Sequence, residues 1–138
     1  MDNNFNIKNT HVPDKVYAYM IQSFHMLYAL IDCKKGDVVS MEVFDDVGIS
    51  REDGTSTAIQ LKSVTSNANP VSDHSTDMWK TFYNWLMGVK DGELVAEKTN
   101  FKLFITVDKT GTIVKNFNDA VDKKSADQVW EDAKEKKW

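Results

Sequence analysis

The chain has 138 residues, of which 41% are hydrophobic and 28% charged, and this composition suits one soluble domain with one core. Its formal net charge is −4, whereas most nucleic-acid-binding domains carry an excess of basic residues. A single cysteine, Cys33, excludes an intramolecular disulfide framework and a cysteine-built zinc site. No apolar run approaches the roughly 20 residues of a membrane span. With no secretory leader at the start, we expect a cytoplasmic protein without membrane contact.

The first predicted element is a helix. Residues 1–12 are polar and rich in asparagine, and we expect them to be loose. From Val16 to Ile31, apolar residues recur at spacings of three and four, which predicts a largely buried helix. Pro13 and Asp14 suit its beginning, and the stretch from Lys34 to Gly36 suits its end.

Two strands are predicted next. The β-branched and aromatic run from Val38 to Val47 indicates a strand, Asp53-Gly54 indicates a turn, and residues 57–66 indicate a second strand. Together they predict an antiparallel hairpin.

The rest of the chain alternates between helix and strand. Residues 76–90 predict a helix with one broad apolar face, capped by Ser75 or Thr76. Residues 101–108 predict a third strand, which ends at a turn over residues 109–111. The region from Phe117 to Trp138 reads as helical. The predicted order is α-β-β-α-β-α, a small mixed sheet flanked by helices.

The hairpin carries the candidate catalytic residues. If its turn centres on Asp53, Asp46 lies directly across from Gln60, and Lys62 lies one diagonal step away. A carboxylate and an amide oxygen suit a hard Mg²⁺ ion, and a neighbouring lysine can orient water or stabilise developing negative charge. We therefore predict Asp46, Gln60 and Lys62 as catalytic residues of phosphodiester hydrolysis, with Asp46 and Gln60 as the metal ligands.

Three further residues are secondary candidates. Glu42 shares a face with Asp46, but it lies about 13 Å away along a straight strand at about 3.3 Å per residue. Asp45 points to the opposite face of a regular strand, and a bulge before Asp46 would exchange the two aspartates. Gln22 can reach the site from the first helix, although packing explains it equally well. Taken singly, Lys62 also fits an ordinary surface lysine.

These motifs resemble a known superfamily. The helix with Tyr19 and Gln22, the run Met41 to Val47, and Ile59-Gln60-Leu61-Lys62-Ser63 are similar to PD-(D/E)XK nucleases. The closer resemblance is to the N-terminal nuclease domain of CD-NTase-associated effector nucleases and other anti-phage defence proteins. The stretch from Asp73 to Trp85 is similar to the segment after the Gln-x-Lys strand in that group.

The resemblance implies a restriction-endonuclease-like fold and an endonuclease that cleaves double-stranded DNA with Mg²⁺, for which Mn²⁺ can substitute. It also implies that residues 1–138 are the N-terminal nuclease domain of a larger protein, with residues 118–138 as a helical tail or linker. A C-terminal sensor or oligomerisation region would come next, and the full-length protein would act as an oligomer or complex. Two alternatives stay open: a catalytically inactive module for nucleic-acid binding or assembly, and a nuclease directed at RNA.

Overall fold

In a computed structural model, which describes residues 13–136, the chain forms a four-stranded mixed sheet with helices on both faces. The predictions for residues 1–12 and for the last two residues lie outside this range. In chain order the elements are α1 (Pro13–Asp32), β1 (Val38–Met41), β2 (Val47–Ser50), β3 (Ser56–Lys62), α2 (Thr76–Lys90), a 3₁₀ turn (Ala96–Lys98), β4 (Thr99–Ile105), α3 (Thr112–Asp119) and α4 (Lys123–Glu135).

The sheet has the order β1-β2-β3-β4, antiparallel between the first three strands and parallel between β3 and β4. The predicted turn at Asp53-Gly54 is confirmed: Gly54 adopts a φ of 80° and donates its N–H to the carbonyl of Arg51. This turn sets Val47 opposite Ile59. One crossover through α2 then brings β4 alongside β3.

The single strand predicted over Val38–Val47 is wrong. Residues 42–46 form a bend, and β1 and β2 on either side of it pair with each other. The N–H of Glu42 donates to the carbonyl of Asp46 and closes the bend. Adjacent aspartates disfavour strand structure, and a ten-residue strand is longer than most, so the sequence held a signal for this break.

Two separate apolar clusters stabilise the fold. On one face of the sheet, Ala29 of α1 packs with Val47 and Leu61. The second cluster joins α2, α3 and α4 through Met78, Ile113 and Ala133.

The prediction that the first helix is largely buried is wrong. Most of its large apolar side chains face outward, and only Gln22 and Ala29 are buried in the described part of the helix. Within residues 13–136, no helix is long and apolar enough to cross a membrane.

The predictions for the second half hold more closely. Helix α2 begins where expected, with the Ser75 hydroxyl accepting a hydrogen bond from the N–H of Met78. The helical region predicted from Phe117 begins earlier, with α3 at Thr112, and it is interrupted before Lys123, where Asp122 and Ser125 form a capping box that starts α4 separately.

Candidate functional site

Asp46 is the centre of a polar cluster at the end of β2. Its Oδ2 accepts hydrogen bonds from the backbone N–H of Leu61, at 2.6 Å, and from the Gln60 side-chain amide. Its Oδ1 accepts a hydrogen bond from Nε2 of Gln22 in α1, at 3.0 Å. The structure therefore brings Asp46 and Gln60 together across the hairpin, as its register predicts, and adds α1 as a third element.

Glu42 joins the same cluster because the chain bends. Nε2 of Gln22 donates to Oε1 of Glu42 at 2.7 Å as well as to Asp46, so oxygens of both carboxylates lie within hydrogen-bonding distance of one nitrogen. The expected separation of about 13 Å applies only to a straight strand and is wrong here. Glu42 has a φ of 56°, in the left-handed region that non-glycine residues seldom adopt.

Close packing of Phe44 on Gly48 accompanies the bend. A Cβ built on Gly48 would lie 2.3 Å from the Phe44 ring, so this contact requires glycine. Phe44 lies between Glu42 and Asp46 in sequence, and its packing on β2 helps to hold both carboxylates at the same end of the sheet.

Asp45 has a different partner. Its Oδ2 accepts a hydrogen bond at 2.5 Å from the indole Nε1 of Trp85 in α2. Burial raises the pKa of Asp45, and the adjacent Asp46 carboxylate adds to the rise, while the Trp85 hydrogen bond and the Lys62 charge oppose it. The structure thus groups Asp46 with α1 and β3, and groups Asp45 with α2.

Lys62 is the last residue of β3 and is half-buried. Alternation along the strand places it on the same face of the sheet as Gln60. Its charge acts on Asp45, and among residues 13–136 its ammonium forms no ion pair within 4.0 Å. The ammonium is therefore near enough to Asp45 to act on its charge, and no ion pair in this range neutralises it.

The Gln22 side chain offers a test of whether a cation fits here. Gln22 is only 8% exposed, and its Oε1 is the buried side-chain polar atom that has no hydrogen-bond partner within the described range. Leaving a buried acceptor unpaired costs about 1–3 kcal/mol. A half-turn of the amide would direct this oxygen toward a cation held by the neighbouring carboxylates and so give it a partner.

The oxygen donors suit Mg²⁺ or Mn²⁺. Glu42 and Asp46 supply carboxylates, and Gln22 and Gln60 supply amide oxygens after a half-turn of each amide group. No group of three or more His, Cys, Asp or Glu side chains suited to a metal occurs in residues 13–136, so a cation here would need the amide oxygens and bound water as further ligands. These donors suit an ion that is bound weakly and keeps part of its hydration shell.

Sequence reasoning missed two contacts of the site. It did not find the Trp85 hydrogen bond to Asp45, which depends on how α2 packs across the sheet and has no local signal. It also placed Glu42 too far from Asp46, because it read a strand through the bend.

The stretch from Asp73 onward has a structural explanation. Asp73 accepts a hydrogen bond from the N–H of Ile113 and forms an ion pair with Lys136, so it joins α3 and α4 to the loop before α2.

Comparison of the chain with protein-family models, curated proteins and solved structures gives no significant match. Function is therefore inferred from the geometry of the site.

Proposed function

We propose that this chain is a restriction-endonuclease-like domain that hydrolyses phosphodiester bonds of double-stranded DNA with Mg²⁺. The observation that carries the proposal is the convergence of Glu42 and Asp46 on the buried Gln22 amide, with Gln60 bonded to Asp46 and Lys62 on the same strand as Gln60. The α-β-β-β-α-β order, with an antiparallel hairpin followed by a parallel fourth strand, supports it.

Each residue has a role that accords with its contacts. Asp46 and Gln60 would hold the metal, and Glu42 and the Gln22 oxygen would complete its protein ligands. When bound, Mg²⁺ polarises a phosphoryl oxygen and makes bound water more acidic. The Lys62 ammonium would orient the attacking water or stabilise the negative charge that develops on the phosphate.

The placement of the two aspartates supports this division of roles. Asp46 bonds to Gln22 and Gln60, which also offer oxygens to a metal, whereas Asp45 bonds to the Trp85 indole, which offers none. Asp45 would then hold the bend against α2 rather than contact the metal. In the cell, the resemblance of the motifs suggests an effector of anti-phage defence, held inactive until the rest of a larger protein responds.

The test is cleavage of supercoiled plasmid by wild type, Lys62→Ala and Lys102→Ala, each with Mg²⁺ or with EDTA. Lys102 is an exposed lysine on the opposite face of the neighbouring strand, so it is the matched control. We expect EDTA to abolish cleavage and Lys62→Ala to lower it by about 10²-fold or more, while Lys102→Ala changes it little. Circular dichroism spectra should be equal for all three.

Full activity of Lys62→Ala would remove this lysine from the mechanism. Absence of cleavage by wild type, together with no binding of Mg²⁺ or Mn²⁺ by calorimetry, would contradict the nuclease proposal and favour a binding module. A parallel assay on single- and double-stranded RNA identifies an RNA-directed nuclease, which would be seen as faster loss of RNA than of DNA.

A further inference from the structure

The outward side of α1 is an unusual surface for a charged protein. Nine large apolar side chains of this helix are between 38% and 76% exposed, and they are Val16, Tyr17, Tyr19, Met20, Phe24, Leu27, Tyr28, Leu30 and Ile31. No Asp, Glu, Lys or Arg occurs from residue 16 to residue 31. We call these nine side chains the α1 face. Part of it is an open groove of about 460 Å³.

The area of the α1 face matches what a stable interface needs. Large side chains that present about 150–250 Å² when fully exposed and are here about half exposed give on the order of 800 Å² in total. A standard protein interface buries roughly 800 Å² on each partner. The face is also larger than the apolar patches that monomeric domains usually leave in water.

We propose that a second copy of this chain covers the α1 face, with the two α1 helices antiparallel about a twofold axis near Ser23 and Phe24. Residues that face each other in such an antiparallel pair point to the same side of the helix and lie on either side of its middle. In the α1 face these are 17 with 28, 19 with 30 and 20 with 27, so apolar side chains meet apolar side chains. A twofold interface is built from such reciprocal pairs.

Phe24 lies at the middle of the α1 face. The antiparallel arrangement therefore places it beside the axis, close to its own copy.

A membrane surface is a poorer match for the α1 face. Helices that lie on membranes carry Lys and Arg along the polar side of an apolar face. In α1 the only such residue is Lys15, at one end. The inference does not rest on the proposed function, because association can be measured without any activity.

The test is the mass of the 138-residue chain in solution, by light scattering after size exclusion and by sedimentation over a range of concentrations. Wild type should have twice the mass of the 15.7 kDa chain. Phe24→Asp and Phe24→Lys should each weaken association by about 30-fold or more, the fold-change that corresponds to a hot-spot residue. A mixture of the two variants should restore the dimer, because opposite charges then meet beside the axis.

Val121→Asp is the control, since Val121 is 91% exposed and lies far along the chain in the link before α4. It should remain dimeric. A monomeric wild type would overturn the proposal, and so would a dimer that Phe24→Asp leaves intact, because another surface would then form it. Failure of the mixed variants to associate would overturn the twofold axis proposed here. Wild type that stays monomeric and sediments with phosphatidylserine vesicles would identify a membrane surface as the occupant instead.

Discussion

Glu42→Gln tests directly whether the bend between β1 and β2 builds a metal site. The substitution keeps an oxygen that can accept the Gln22 hydrogen bond, so the metal-free fold should hardly change. It removes one of the two carboxylates that lie beside the same amide nitrogen. Since Mg²⁺ binds through charge, we expect the loss to appear in metal affinity rather than in the stability of the metal-free protein.

The magnitude can be worked out from ligand linkage. With about 10 mM Mg²⁺ and a dissociation constant on the order of 1 mM, binding adds about 1.4 kcal/mol to the free energy of unfolding. An unfolding entropy of about 2.1 cal/mol/K per residue converts this to a rise in melting temperature of about 5 °C for a chain of this length. A tenfold weaker site in Glu42→Gln would leave a rise of about 1–2 °C.

The assay is thermal unfolding followed by circular dichroism, with and without Mg²⁺, for wild type, Glu42→Gln, Asp46→Asn and Glu97→Gln. Glu97 is exposed in the 3₁₀ turn, and its variant should keep the full rise. An unchanged rise in Glu42→Gln would refute the reasoning for Glu42, and an unchanged rise in Asp46→Asn would refute the site itself. No rise in wild type would mean that the cluster binds no Mg²⁺ in this concentration range.

Two further predictions concern the scaffold. Gly48→Ala should displace the Phe44 ring and lower the free energy of unfolding by about 1–3 kcal/mol, as measured by urea unfolding. It should also reduce the Mg²⁺-dependent rise in melting temperature. Unchanged stability and an unchanged response to Mg²⁺ would contradict this role for the ring. Burial opposes ionisation of Asp73, but hydrogen bonds from Ile113 and Lys136 outweigh it and lower its pKa below the usual 3.8. Asp73 therefore stabilises the fold above pH 3.8 and loses this contribution as the pH falls through its lowered pKa. Asp73→Asn should accordingly lower the free energy of unfolding by about 1–3 kcal/mol near pH 7 and should not change it at a pH below the lowered pKa of Asp73. Urea unfolding at the two pH values measures both effects. An equal loss at both would contradict the ionic role.

The hairpin register could be predicted because it depends on local chemistry. A turn centred on Asp53 places residue 46 opposite residue 60, and the structure has Asp46 and Gln60 in contact. The start of α2 was predictable for the same reason, since the cap at Ser75 is a local hydrogen bond. In each case the decisive interaction lies within a few residues of the element or across one turn.

The adjacent aspartates signal a break in the strand, but the form of the bend at residues 42–46 and the exposure of α1 could not be predicted in this way. The bend depends on Phe44 packing on Gly48 and on Gln22 reaching two carboxylates from another element. The apolar spacing of α1 indicates only that a face of the helix needs covering. It does not say whether the cover comes from the same chain, and among the described residues it does not.

The bend at residues 42–46 and the exposed helix α1 are connected, because the bend provides part of the attachment of α1 to the sheet. The inner side of the helix contributes Ala29 to a buried cluster, and the hydrogen bonds of Gln22 to Glu42 and Asp46 supplement this apolar contact. The polar cluster is thus part of what holds α1 in place as well as a candidate metal site. Asp46→Asn disturbs both roles, because it changes an acceptor of three hydrogen bonds. Glu42→Gln preserves its single contact, and the difference between the two variants separates the loss of metal binding from the loosening of the helix.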